Sequence, residues 1–169
     1  MAPEVDRYDG PNEVVVNRNP RNMGAINHMN ALMERASGEY IVFGNSDDRF
    51  LPERVSRIAA HWRETGLPMI SSNVYLMDED GNGARRLHDP AERHDLSLEH
   101  FTRTGLNAAA WGAAMAWHRD VYDRFGPIDP AKSPFSADHI IPFRGLLLGG
   151  NGFIGDPLLY YRMNPQGDS

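Results

Sequence analysis

The sequence contains no cysteine, which removes disulfides, thiolate-bound metals and cysteine nucleophiles together. Its one GxGxxG, Gly150-Asn-Gly-Phe-Ile-Gly155, runs into a β-type segment near the chain's end rather than opening a helix, so a dinucleotide or P-loop reading has nothing to stand on. No apolar run approaches the roughly 20 residues of a membrane span, and the opening Met1-Ala-Pro-Glu-Val-Asp6 lacks the basic-then-apolar order of a leader. The expectation is residence in the cytoplasm, with peripheral attachment at the membrane as the variant. Basic residues are also short: 17 Lys and Arg stand against 23 Asp and Glu, a formal net charge of −6. With a pI near 5.6 the chain offers no basic face for a phosphate backbone, so no nucleic-acid partner is expected. Repeats, low-complexity tracts and internal linkers are missing as well.

What remains is an ordinary globular composition, 41% hydrophobic and 24% charged over 169 residues, enough for one domain with a real core. Val14-Val-Val16 predicts a short strand and Asn17 to Asn22 a polar loop. Ile26, Met29, Met33 and Ala36 recur at helical spacing, with Gly38 placed for a left-handed cap. Tyr40 to Gly44 predicts a strand, and Pro52 a helix start, with Val55, Ile58, Ala59 and Trp62 as its apolar stripe, ending near Gly66. Met69 to Met77 predicts a strand closed by a turn from Asp78 to Gly83, then a helix over Leu96 to Phe101. The remainder predicts a strand from Trp111 to Trp117, a helix from Asp120 to Phe125, a proline-marked loop, a helix from Asp138 to Leu148 and a last strand from Gly152 to Tyr161. Strands alternating with helices predict a single α/β domain with a mixed, mainly parallel sheet flanked by helices.

The strand from Tyr40 stops at Asp47 and Asp48 before the chain restarts at Pro52. In open α/β sheets ligands bind outside the carboxyl ends of strands, and adjacent acids there repel unless a cation or a donor-rich ligand offsets them. Capping of the Pro52 helix is the competing explanation.

The order of motifs resembles the inverting family 2 glycosyltransferases of the GT-A fold. Asn22-Met-Gly-Ala-Ile-Asn-His-Met-Asn30 is similar to that family's Asn-x-Gly segment opening a helix, and Ala36-Ser-Gly-Glu-Tyr-Ile-Val-Phe-Gly-Asn-Ser-Asp-Asp48 to its strand and DxD-type acidic motif. Trp111-Gly-Ala-Ala-Met-Ala-Trp117 and Phe125-Gly-Pro-Ile-Asp129 resemble the acceptor-side strand and its following turn. Ser136-Ala-Asp138 stands in the place of the catalytic Glu-Asp pair, Arg144 follows at the family's interval, and Asp156-Pro-Leu-Leu-Tyr-Tyr-Arg162 is similar to the closing segment.

The resemblance implies a nucleotide-sugar donor, a hydroxyl acceptor and a manganese or magnesium ion. It assigns metal contact to Asp48, with Asp47 supporting the metal or reaching the nucleotide, donor contacts to Asn22 and Arg162, and the base to Asp138. Trp111, with Gly112 leaving room beside it, is the acceptor-stacking candidate. Plainer roles compete: Asp138 as a helix cap, Arg162 as a brace of the sheet, Trp111 and Trp117 as core. Asn30, on an apolar helix face, is expected to tie that helix to a neighbouring loop. His88, His94 and His100 repeat every six residues, which does not match helical ligand spacing and suits a solvated acceptor-side segment.

Departures from the family pattern accompany the match. Its nucleoside-holding N-terminal strands are missing, Ala137 replaces the Glu before the catalytic Asp, and Asn164 stands where a His is common. The chain thus reads as an N-terminally truncated GT-A domain whose exposed sheet edge is open to homodimerisation. The competing function is a non-catalytic remnant of the fold serving as a binding or assembly module.

Overall fold

The computed structural model describes residues 9–89, 97–104, 112–133 and 137–163. Helix α1 (Ala25–Arg35) buries Met29 and Met33, as its spacing requires. It runs out through an extended Ala36 rather than a left-handed cap, and Gly38 keeps an ordinary negative φ. Strand β1 (Tyr40–Val42) leads to the acids, and a short strand β2 (Arg49–Phe50) precedes helix α2 (Arg54–Thr65). Helix α2 does end on a left-handed Gly66 (φ 64°), whose N–H bonds to the Trp62 carbonyl at 2.7 Å. Its inner face differs from the expected one: Val55 is 61% exposed while Arg54 is 2% exposed.

Strand β3 (Met69–Met77) matches its predicted bounds, and β4 (Arg85–Arg86) returns beside it after a turn in which the Asp78 carboxylate accepts from Asn82 N at 2.7 Å. Helix α3 (Leu98–Thr104) lies later than expected. The small-residue segment is a 3-10 turn over Gly112–Ala114 followed by strand β5 (Ala116–His118). Then come α4 (Asp120–Asp123), α5 (Ala137–Leu148) and the long β6 (Asn151–Arg162).

The sheet order is β1-β5-β3-β6-β2, with β4 against β3. Its mixed character and flanking helices are as expected, but the balance is not mainly parallel. Among the described residues only β3 and β6 pair in parallel, and the β1–β5, β3–β5, β3–β4 and β2–β6 pairs are antiparallel. β4 returns on β3 through a turn with no crossover helix, while β2 and β5, the latter reached after α3, run against their neighbours. Val14 to Val16 also departs from expectation, as an unladdered segment 49%, 69% and 66% exposed.

Alternation at the start of β3 separates two cores, and a third cluster forms further along it around Val74 and Leu76. Met69 packs with Met29, Met33, Met115, Trp117 and Ile141, under α1, α4 and α5; Ile70 packs with Ile58, Ala116, Ile154 and Leu158, under α2. At mid-strand, buried Asn73 donates to the His88 and Gly155 carbonyls and accepts from Val74 N and His88 N. The β3–β6 register shifts there, so Gly155 and Asp156 bulge outward.

Asn30 ties its helix to a loop, but to the one after α4 rather than the one carrying the acids. Its Nδ2 donates to the Ile128 carbonyl at 2.9 Å, and its Oδ1 accepts from Ile128 N and the Tyr122 hydroxyl. From the other side Arg144 Nη1 donates to the Gly126 carbonyl at 2.9 Å and lies over the Phe125 ring. Truncating Asn30 to Ala strands the Ile128 groups and is expected to cost about 1–3 kcal/mol, read from the urea midpoint, whereas Asn27→Ala on the exposed face should leave that midpoint in place.

Candidate active site

Strand β1 delivers the chain to Gly44, where any side chain would overlap the Phe50 ring. The acid loop therefore folds tightly back onto β2. Asp48 lands half-buried at its turn. Its Oδ1 accepts from the Arg162 backbone N at 3.0 Å, while Oδ2 is buried with no hydrogen-bond partner among the described residues. Burial pushes the Asp48 carboxyl above its ordinary range and neighbouring Asp47 adds to this, against the pull of the Arg162 N–H, Asn45 and Arg54. Asp47 itself is exposed.

Arg162, the last residue of β6, holds this loop in place. Its Nε donates to the Asp47 carbonyl at 3.0 Å, and its Nη1 donates to the Glu79 carbonyl in the turn after β3. Those bonds brace the acid loop against the β3 turn. Asn22 makes a local bond before α1, accepting from Gly24 N at 2.8 Å.

Asp138 opens α5 and lies against Gly112, where a methyl group would overlap its carboxylate. Close approach thus explains the glycine. The link between Asp138 and the acid loop is Tyr161, the residue before Arg162. Burial raises its hydroxyl pKa first, and Asp48, Asp47 and Asp138 each raise it further. Three carboxylates from two separate segments therefore bear on one phenol. Beneath them Arg54 Nη2 donates to the Phe43 carbonyl at 2.6 Å and to the Ala113 carbonyl at 3.1 Å. Desolvation lowers its guanidinium to about 10, partly offset by Asp48.

Tyr161 and Arg54 were not singled out from sequence. Tyr161 sat inside a motif read for its arginine. Arg54 had a signal, since Arg54, Ile58 and Trp62 form an i, i+4, i+8 row on α2, a row headed by a cation where an apolar residue is normal.

Trp111 and His94 lie outside the described residues. His88 sits edge-on to Phe153 at 5.9 Å, and His100 is half-buried on α3. Among the described residues no group of three His, Asp or Glu is arranged to hold a metal, and no helix is long and apolar enough to cross a membrane.

A model of glycosyl transferase family 2 matches residues 4–126. The chain belongs to this family. The match takes in Asn22, Asp47, Asp48, Trp111 and Gly112 and stops before Asp138 and Arg162. An uncharacterized glycosyltransferase of Nostoc sp. is 25% identical over 147 residues, which cover 85% of this chain and 45% of that protein. The crystal structure of S. aureus TarS 1–349 with UDP-GlcNAc superposes at a TM-score of 0.71, covering 99% of this chain and 47% of that one at 16% identity. TarS with UDP gives 0.58, over 80% and 39% of the two chains at 15% identity. The fold of this family 2 domain is thus GT-A. The chain spans a little under half the length of these relatives, a truncation relative to them.

The Asp48 environment makes a direct prediction. Because its folded carboxyl pKa is raised, this group favours the fold while protonated, and that contribution fades as pH rises through the raised value. Asp48→Asn keeps an oxygen for the Arg162 N–H and removes the buried charge. Without divalent ions the variant should be at least as stable as the parent at pH 7 by urea unfolding, with the difference closing as pH is lowered into the range where the parent carboxyl is protonated.

Proposed function

We propose that this domain forms the metal and acceptor side of a transferase that moves a sugar, with inversion, from a nucleoside-diphosphate sugar to a hydroxyl acceptor. The single observation that carries this reading is the acid loop: Asp48 Oδ2 is buried with no hydrogen-bond partner among the described residues, beside the exposed Asp47 carboxylate, in a loop held by Arg162. Paired acids placed so suit a cationic, phosphate-rich ligand.

Asp48 and Asp47 are the residues that would hold manganese or magnesium. The orphaned Asp48 Oδ2 and the exposed Asp47 carboxylate fit an oxygen-seeking ion that keeps several waters. Such an ion, when bound, neutralises the leaving diphosphate. Arg162 keeps the acid loop in register with the β3 turn, and Asn22 and Arg162 stand as further donor-side residues. Asp138 takes the acceptor hydroxyl proton as the acceptor oxygen bonds to the anomeric carbon; the bond to the diphosphate breaks with its electron pair leaving on the phosphate oxygen. Gly112 lets that carboxylate pack against the acceptor-side turn, with Trp111 as the acceptor's stacking surface.

The donor is a uridine or guanosine diphosphate sugar, a choice supported by the UDP-GlcNAc bound to TarS. Work in the cytoplasm, or at the membrane surface, suits such a donor, and the free edge of β1 is where a second copy would pair.

Saturating manganese plus UDP-GlcNAc, or a guanosine counterpart, is expected to raise the melting temperature by about 5 °C, with Asp48→Asn abolishing the shift. No shift with any of these donors, in this chain or in a form extended to its relatives' length, would sink the reading in favour of a non-catalytic module. Asp138→Asn should keep the thermal shift while product formation in the extended form, followed by mass spectrometry, drops by about 100-fold or more. Unchanged turnover would remove Asp138 from the role of base.

A further inference from the structure

Arg54 is a buried cation with no acid bonded to it. It is 2% exposed, and its Nε and Nη1 have no hydrogen-bond partner among the described residues. Leaving donors of a guanidinium unsatisfied in a core is costly, and an apolar residue would serve helix packing better. What Arg54 does make is specific. Its Nη2 joins the Phe43 carbonyl, at the head of the acid loop, to the Ala113 carbonyl in the 3-10 turn. Its guanidinium also stacks over the Phe50 ring at 4.7 Å, the same ring that fills the space against Gly44. The two segments it joins carry the opposed halves of the site: Asp47 and Asp48 follow Phe43, and Gly112, one residue before Ala113, lies against Asp138.

We propose that Arg54 is a positioning residue that sets the spacing between the metal-holding acids and the Gly112–Asp138 acceptor side. This rests on the functional reading above and goes beyond it, because Arg54 touches neither donor nor acceptor. Its unbonded donors follow from the role: the guanidinium is placed to reach two carbonyls on different elements, and the remaining N–H groups face core.

The test uses manganese as a paramagnetic probe in amide NMR of the whole chain. Bound at Asp48, it should broaden the amides of both Arg162 and Gly112 in the parent. In Arg54→Met the Arg162 amide should still broaden, while broadening at Gly112 weakens severalfold as the turn loses its tie. Arg54→Lys, which keeps one donor group for the same carbonyls, should restore much of it. Asn30→Ala supplies a variant destabilised elsewhere and should leave both effects as in the parent. Equal broadening at Gly112 in the parent and Arg54→Met would overturn the inference, as would an equal loss in Asn30→Ala. If Arg54→Met does not fold, Arg54→Gln, whose shorter side chain cannot span both carbonyls, replaces it: a parent-like melting temperature with weakened Gly112 broadening supports positioning, and unchanged broadening refutes it. Absence of broadening at Arg162 in the parent refutes both the metal assignment and the spacing role built on it.

Discussion

The backbone N–H of Arg162 and the carboxylate of Asp48 make the bond on which the site depends. Through it the end of the longest strand fixes the acid loop, which follows one of the shortest. Strand β6 is itself held along β3 by parallel pairing and shifted in register at Asn73, so that Tyr161 pairs with Leu76 and Arg162 with Met77. Position along β6 therefore decides which residue reaches Asp48. A slip of one residue would turn Tyr161 and Arg162 to the opposite faces and separate the carboxylates from the phenol whose pKa they raise. The buried Asn73, with both amide groups used, is what makes that slip expensive.

The two cores divide the labour. Methionines dominate the one under α1 and α5, where Met29, Met33, Met69 and Met115 fill the space around Trp117. Their flexible side chains adapt to irregular gaps. The core under α2 is smaller and built from Ile58, Ile70, Ile154 and Leu158. Arg54, one turn before Ile58, reaches the Ala113 carbonyl of a third apolar cluster, in which Val74, Leu76, Ala114 and Leu159 pack together. The same helix thus presents hydrocarbon to the sheet at Ile58 and a guanidinium to two loop carbonyls one turn earlier.

Much of this was legible in the sequence, and the parts that were not have physical reasons. Strand β3 was readable to the residue because its apolar ends, Met69-Ile70 and Val74 to Met77, are bounded by Pro68 and an Asp-Gly turn. The acids were readable because a buried strand that ends in two carboxylates is costly without a purpose. Val14 to Val16 misled because β-branching signals strand propensity, while a ladder needs a neighbour. The segment Gly112 to Trp117 misled in another way: small residues satisfy a strand pattern, but Gly112 must pass the Asp138 carboxylate and the turn tightens to let it. Parallel balance was overestimated because β2 and β4 are two residues each, too short to show a period. Arg54 went unread because charged residues in a first helical turn are ordinarily solvent-facing, and only its row with Ile58 and Trp62 marks it otherwise.

Charge explains why these features belong together. The charges of Asp47, Asp48 and Asp138 all raise the Tyr161 hydroxyl pKa, while buried Arg54 spends its bonds on backbone carbonyls and offsets Asp48 only through space. Arg162, the other cation at the corner, likewise spends its Nε and Nη1 on the Asp47 and Glu79 carbonyls. Both arginines therefore order the loops without pairing to the Asp48 carboxylate, which is why burial can hold that carboxyl above its ordinary range. Had either arginine formed a direct ion pair with Asp48, the loop would be equally rigid but its negative potential would be cancelled. Fixing the loops through their carbonyls separates rigidity from charge. The corner is thereby held in shape while keeping its attraction for a divalent ion and the diphosphate that such an ion binds.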